Sequence, residues 1–217
     1  LRNLDARREE VRGAIASQDK LTPEISAALD GAVILAEIED IYRPFKPHRK
    51  TRADAARERG LEPLAEYISA QNKKYTVSIP DEAAKYIDPE KEIQTADEAI
   101  NGACDIIAED ISDDAAIRRA VRESTARYGS LESKKLKDGA VYEQYYEYSE
   151  PIAKIPPHRV LALNRAEREG VLRVSVTVDR ERELGEIKRR VVTDRSSPAG
   201  DLISETVADS YDRLIAP

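Results

Sequence analysis

Thr95-Ala-Asp-Glu-Ala-Ile-Asn-Gly-Ala-Cys-Asp-Ile-Ile107 decides the fold class. Thr95 stands as an N-cap, and Glu98 three residues on completes a capping box. Ala96, Ala99, Ile100, Ala103, Ile106 and Ile107 recur at three and four, the period of a helix with one buried stripe. Toward the C-terminus, Ser112-Asp113-Asp114 opens another helix carrying Ile117, Ala120 and Val121. The polar tract from Gly129 to Gly139 reads as a loop. Leu172, Val174, Val176 and Val178 alternate with Arg173, Ser175 and Thr177, which predicts a strand over 171–178. Gly170 ends the preceding helix, and Ser197-Pro198 opens a last one with Leu202, Ile203, Val207, Tyr211 and Leu214.

Toward the N-terminus the same period continues. Leu61, Leu64, Ala65 and Ile68 form a short stripe, and residues 72–80 read as a connection. Thr22-Pro23-Glu24 has the cap, the early proline and the first-turn acid of a helix start. A single helix is predicted from there to Arg43, where Pro44 and Pro47 stop it. Leu4, Val11 and Ile15 share an earlier stripe. The fold class is therefore mainly α, a multi-helix bundle around an aliphatic centre with a small β element near 171–178.

Composition narrows the function. The chain has 217 residues, with 42 acids against 35 lysines and arginines, a net charge of −7. No stretch is long and apolar enough to span a bilayer, and no basic start leads into an apolar h-region. The expectation is a soluble cytoplasmic protein with no membrane partner. One cysteine, Cys104, cannot close an internal disulfide, and two histidines with no ligand cluster near them argue against zinc. Cys104 lies on the apolar helix and reads as buried and inert. No nucleophile elbow or glycine-rich phosphate loop is present, so no catalytic residue, metal ligand or cofactor is expected. The chain begins with Leu1 rather than Met, which predicts a piece of a longer protein.

Charge is uneven. Arg43 to Arg59 holds seven basic residues and two acids, while Asp81 to Asp114 holds twelve acids and two lysines. The two tracts could pair within the fold, or the acidic one could be a solvated face. The most pointed segment is Arg43-Pro-Phe-Lys-Pro-His-Arg-Lys-Thr-Arg52. Its prolines stiffen the chain, so Arg43, Lys46, Arg49, Lys50 and Arg52 are candidate phosphate contacts, with Phe45 and His48 able to stack on a base. The alternative is a structural loop whose arginines pair with Glu37, Glu39 and Asp40. His158 and Arg159 open a helix after Pro156-Pro157 and are a second candidate anion site; pairing of Arg159 and Arg165 with acids is the alternative. Tyr142, Tyr145, Tyr146 and Tyr148 could form a stacking platform or a packed edge.

Several segments carry a family resemblance. Glu39–Ala53, Ala56–Ala65, Ala99–Glu109, Tyr148–Pro156, His158–Arg165, Glu169–Arg173 and Ser210–Pro217 resemble, in order, the N-terminal helical region of the Tex family of bacterial RNA-binding transcription accessory proteins. Departures are Pro157 before His158, where the family usually has Ser, and Ala166 after Arg165, where it usually has Gly. The resemblance implies one region over 1–217, with a sub-split at 1–72 and 73–217, and a helix-turn-helix-like portion. It further implies that RNase H-like (YqgF), helix-hairpin-helix and S1 domains lie outside this stretch. The implied function is a non-catalytic scaffold module whose partners are RNA or single-stranded DNA, chiefly through those other domains, and the transcription machinery. The second function class is a protein-interaction module that touches no nucleic acid.

Overall fold

The computed structural model describes residues 2–47 and 49–217. In chain order the helices are α1 (Arg2–Ala16), α2 (Pro23–Gly31), α3 (Leu35–Tyr42), α4 (Arg52–Glu58), α5 (Glu62–Ser69), α6 (Ile79–Ala83), α7 (Ala96–Asp113) and α8 (Ala115–Tyr128). Strands β1 (Ser130–Lys135) and β2 (Glu147–Pro151) follow, then α9 (Pro157–Arg168), β3 (Leu172–Thr177), α10 (Arg180–Val191) and α11 (Gly200–Ser210). The mainly α class with a small β element is what the periodicity predicted. The chain forms two compact units: residues up to Arg119 together with Ile187–Pro217, and Ala120–Glu186. The 72/73 boundary suggested by sequence lies inside the first unit, where Ser197 Oγ donates to the Asn72 carbonyl at 2.9 Å and Gln71 Nε2 to that of Val191 at 2.8 Å.

In the first unit α7 is the axis, packed by α4, α5, α6 and α11. Thr95 and Glu98 make the predicted capping box. Ala99, Ala103, Ile106, Ile107 and Ile111 of α7 are buried, and so are Leu61, Leu64 and Ile68 at and within α5, which packs on it. Small residues on α7 bring the helices close: a Cβ on Gly102 would lie 2.4 Å from Leu61 Cδ1. On the α11 side, Ser210 Oγ donates to the Ala108 carbonyl at 2.6 Å. Asp114 caps α8 by accepting the Ala116 and Ile117 amides at 2.7 and 3.0 Å.

The helix predicted from Thr22 to Arg43 is two helices. After Gly31 the chain turns extended at Ala32 and Ile34, and the Glu37 carboxylate accepts the Val33 amide at 2.8 Å to start α3. The break lets Leu29, Ala32 and Ile38 all face Val11 and Ile15 of α1 in one cluster. An unbroken helix would splay those positions around its circumference.

The second unit holds the sheet, ordered β2-β1-β3 and antiparallel throughout. Only β3 was predicted; the tract expected as a loop supplies the central strand instead. Its apolar content is a single Leu131, and its other inward residue is Ser133, which satisfies itself by donating to the Tyr145 carbonyl at 2.6 Å. Leu163, Ala166, Val171 and Leu172 form the core with Tyr142 and Tyr145. Gly170, at φ +68°, ends α9 as expected.

Candidate nucleic-acid interface

The basic segment leaves α3 through a 3-10 turn, Arg43–Phe45, and runs to Thr51, where α4 starts. Thr51 Oγ1 accepts the Asp54 amide at 3.0 Å, and Asp54 Oδ2 accepts that of Thr51 at 2.9 Å, so the far end of the segment is anchored by a reciprocal cap. Pro44 and Pro47 restrict φ between these anchors. Phe45 is partly buried against the α1–α3 cluster, and its carbonyl accepts Gln18 Nε2 at 2.9 Å, so its ring is engaged in packing. His48 lies outside the described residues.

The structure sorts the cations of this tract into two groups. Arg43 Nε sits 2.7 Å from Asp113 Oδ1. Arg57 reaches Glu109 at 2.5 Å and Asp110 at 3.0 Å, and Arg59 reaches Glu92 at 2.8 Å. The basic and acidic tracts therefore do pair within the fold. Burial works against the Arg57 charge, but the Glu109 and Asp110 carboxylates outweigh it and raise its pKa. Glu37 pairs with Arg119, Glu39 with Arg7 and Asp40 with Arg118. The Arg7 hydrogen bond lowers the Glu39 pKa, and Lys46 adds to that effect.

Lys46, Arg49, Lys50 and Arg52 form the other group, all exposed. Lys50 pairs at 2.5 Å with Glu58, itself exposed, across a pair open to solvent on both sides. Arg52 looks onto Asn101 and Asp105 of α7. Burial raises the Asp105 pKa, while Arg213 and Arg52 oppose that rise.

His158 and Arg159 belong to the second unit. His158 is exposed at the start of α9. Arg159 is tied down: Nη1 donates to Glu150 Oε2 at 2.8 Å and to the Tyr148 hydroxyl at 3.4 Å, and Tyr148 also donates to Glu150. Those two hydrogen bonds, Tyr148 first, lower the Glu150 pKa. Arg165 pairs with Glu169 at 3.0 Å. The acid-pairing alternative for Arg159 and Arg165 is the one the geometry matches. The tyrosines follow the packing alternative too. Tyr142 and Tyr145 are buried, Tyr145 meets Tyr148 edge-on at 5.3 Å, and the Tyr146 hydroxyl accepts the Gly139 amide at 2.7 Å.

Among the described residues no group of three His, Cys, Asp or Glu could hold a metal ion. Cys104 is half-buried rather than fully buried, and burial raises its pKa, which favours the unreactive thiol. No helix among the described residues is long and apolar enough to cross a membrane. One grouping escaped the sequence reading: Arg127 and Arg182 both lie against the ring of Tyr128. The adjacent cation and aromatic at a helix end were its only sequence signal, and Arg182 joins them only through the fold.

A family model described as Tex central region-like matches residues 76–215. The chain belongs to the Tex family. Uncharacterized protein YdcI of Bacillus subtilis is 43% identical over 222 residues, an alignment that covers all of this chain and 31% of that protein. Protein tex of Bordetella pertussis is 38% identical over 174 residues, covering 78% of this chain and 22% of that protein. Transcriptional accessory protein Tex of Neisseria gonorrhoeae is 31% identical over 180 residues, 81% of this chain and 23% of that protein. This Tex-family chain thus spans less than a third of the length of these relatives.

Proposed function

We propose that this chain is a non-catalytic helical scaffold module of a nucleic-acid-binding transcription accessory protein, and that its 43–52 segment adds phosphate contacts. The observation that carries the reading is that Lys46, Arg49, Lys50 and Arg52 are all exposed on a short stretch between α3 and α4, while Arg43 and Arg57 are paired with carboxylates of α7. Cations held on a short, braced segment meet phosphates with little reorganisation. The net charge of −7 fits an auxiliary role, since an acidic body weakens long-range attraction of a polyanion. Membership of the Tex family, one of whose members is called a transcriptional accessory protein, supports the transcription machinery as a partner; RNA or single-stranded DNA as further partners and the cytoplasm as location complete the proposal. Arg43 and Arg159, both held in ion pairs, serve structure in this reading.

The test is the salt dependence of single-stranded RNA binding by the chain and by a variant with Lys46, Arg49, Lys50 and Arg52 all replaced by Ala. Each lost phosphate contact should reduce the slope of log K against log salt by about 0.7. An identical slope removes the segment from the function.

The second reading, a packing module with no nucleic-acid contact of its own, draws on Val33, Ile34 and Leu35, three consecutive aliphatic residues that stay 74%, 47% and 47% exposed. Solvent-facing runs of this kind mark surfaces that other protein covers. It predicts no measurable RNA affinity for the isolated chain.

A further inference from the structure

Carboxylates hold most of the arginines already described, such as Arg7, Arg43, Arg118, Arg159 and Arg213. Arg127 and Arg182 depart from that pattern. Among the described residues neither guanidinium makes a hydrogen bond or an ion pair; their shared contact is one aromatic ring. The Arg182 guanidinium carbon lies 4.2 Å from the Tyr128 ring centroid and that of Arg127 lies 5.2 Å away. Tyr128 is 50% exposed, so the ring is not a core residue that happens to touch charge.

Three of the neighbouring acids are occupied. Asp179 Oδ1 accepts the Glu181 and Arg182 backbone amides at 3.0 and 3.3 Å, which caps α10. Glu181 takes Arg180 at 2.9 Å. Glu183 is buried and accepts the Ser124 hydroxyl. Glu123, one turn before Arg127 on α8, makes no ion pair with it. Two guanidinium forks and an exposed ring are thus held together at the junction of α8 with β1, within the second unit, with their donors unspent. An exposed cation–π contact contributes little by itself, so two such contacts on one ring do not account for the arrangement as a stabilising device. A flat π surface with flanking positive charge is instead what a base and its phosphates require. Bases stack on aromatic rings and on guanidinium planes alike, and arginine forks match phosphate oxygens.

We infer that Tyr128, with Arg127 and Arg182, is a stacking site for a base of single-stranded nucleic acid, the two arginines taking the adjacent phosphates. The site adds a second contact to the nucleic-acid reading above and rests on it, but it uses none of the residues of the 43–52 segment.

The chain contains no tryptophan, so Tyr128→Trp places a single indole reporter in the site. The experiment titrates that variant with twelve-nucleotide oligo(U) and oligo(dT), reading indole emission, while fluorescence anisotropy of labelled oligonucleotide reads binding. Stacking should quench the emission in step with binding by either polymer. The quench should persist when Lys46, Arg49, Lys50 and Arg52 are replaced by Ala in the same background. Tyr128→Ala should weaken oligonucleotide binding by about tenfold or more, and joint replacement of Arg127 and Arg182 by Ala should lower the salt slope by about 1.4. Emission unchanged at oligonucleotide concentrations that saturate the anisotropy overturns this site and leaves the 43–52 reading standing. So does wild-type affinity in a folded Tyr128→Ala chain. Absence of any binding by the wild-type chain overturns both.

Discussion

Arg57 places Nη1 2.5 Å from Glu109 Oε2 and Nη2 3.0 Å from Asp110 Oδ1, so one guanidinium clamps α4 to two successive carboxylates of α7. The Glu109 side chain is only 14% exposed. Arg57→Ala would leave that carboxylate largely desolvated without its partner. The expected loss is about 1.5–3 kcal/mol, the range for a hydrogen bond to a charged group plus its orphaned acceptor. Urea unfolding checks it, with the midpoint falling at constant m-value. Arg57→Lys should recover only part, since one ammonium cannot serve both carboxylates with the same geometry. A loss under about 0.5 kcal/mol for Arg57→Ala would class the clamp with surface ion pairs.

The course of this pairing shows what the sequence carried. The opposed charges of 43–59 and 81–114 were visible in the chain, and so was a docking of one on the other as one of two alternatives. Which arginine meets which acid was not visible, because partners such as Arg43 and Asp113 lie 70 residues apart and are set by helix packing. Helices with long apolar stripes, α7 above all, were legible because burial imposes a 3.6-residue period. β1 was not legible: Leu131 is its one apolar residue, so no period-two apolar stripe marks it, and Ser133 satisfies its own polar group inside. The break before α3 was also hidden, since Gly31, Glu37 and the α1 cluster act together there. Arg159 was named as a phosphate candidate and as an ion-pair former, and only the placement of Glu150 on β2 decided between them.

Gly102 is a point of close approach on α7. Its added Cβ would meet Leu61 Cδ1 at 2.4 Å and Ala56 Cβ at 3.5 Å. Leu61 is 1% exposed and cannot swing into solvent. Gly102→Ala gains about 1 kcal/mol in helix propensity and loses about 1–3 kcal/mol to overpacking, so a net loss near 1 kcal/mol is expected. In a Leu61→Ala background the same change should be neutral or stabilising, which a double-mutant cycle of thermal unfolding measures. Equal effects in both backgrounds would show that Leu61 is not the obstacle.

Glu183 is 1% exposed; its Oε1 accepts the Ser124 hydroxyl at 2.8 Å, and Oε2 has no hydrogen-bond partner among the described residues. Burial raises its pKa above the ordinary 4.5, with Glu186 and Asp179 adding to the rise and Ser124 and Arg182 opposing it. Between the ordinary value and the raised one the native state binds this proton more readily than the unfolded chain does, so the group's contribution to stability is lost as pH rises through the raised value. Glu183→Gln keeps the shape and removes the charge. At neutral pH it should be more stable than the wild type by about 1–3 kcal/mol, because it removes a buried charge that only Ser124 hydrogen-bonds, although the new amide nitrogen also lacks a partner. The gap should narrow as pH falls toward 4.5. A gap that stays constant from neutral pH to that value would show that ionisation of Glu183 is not its source.

Arg43 and Lys46 are three residues apart and have opposite fates, which separates folding from binding in one experiment. Arg43 spends its charge on Asp113 at 2.7 Å. Arg43→Ala should cost about 1 kcal/mol or somewhat more of stability and leave the salt slope of RNA binding unchanged. Lys46 is exposed and acts on Glu39 only through its field. Lys46→Ala should leave unfolding within about 0.5 kcal/mol of the wild type and lower the slope by about 0.7. If both variants change the slope alike, phosphate draws Arg43 away from Asp113 and the sorting of the cations fails. If neither does, the exposed group is a solvated edge, and the stiffening by Pro44 and Pro47 serves the turn from α3 into α4 alone.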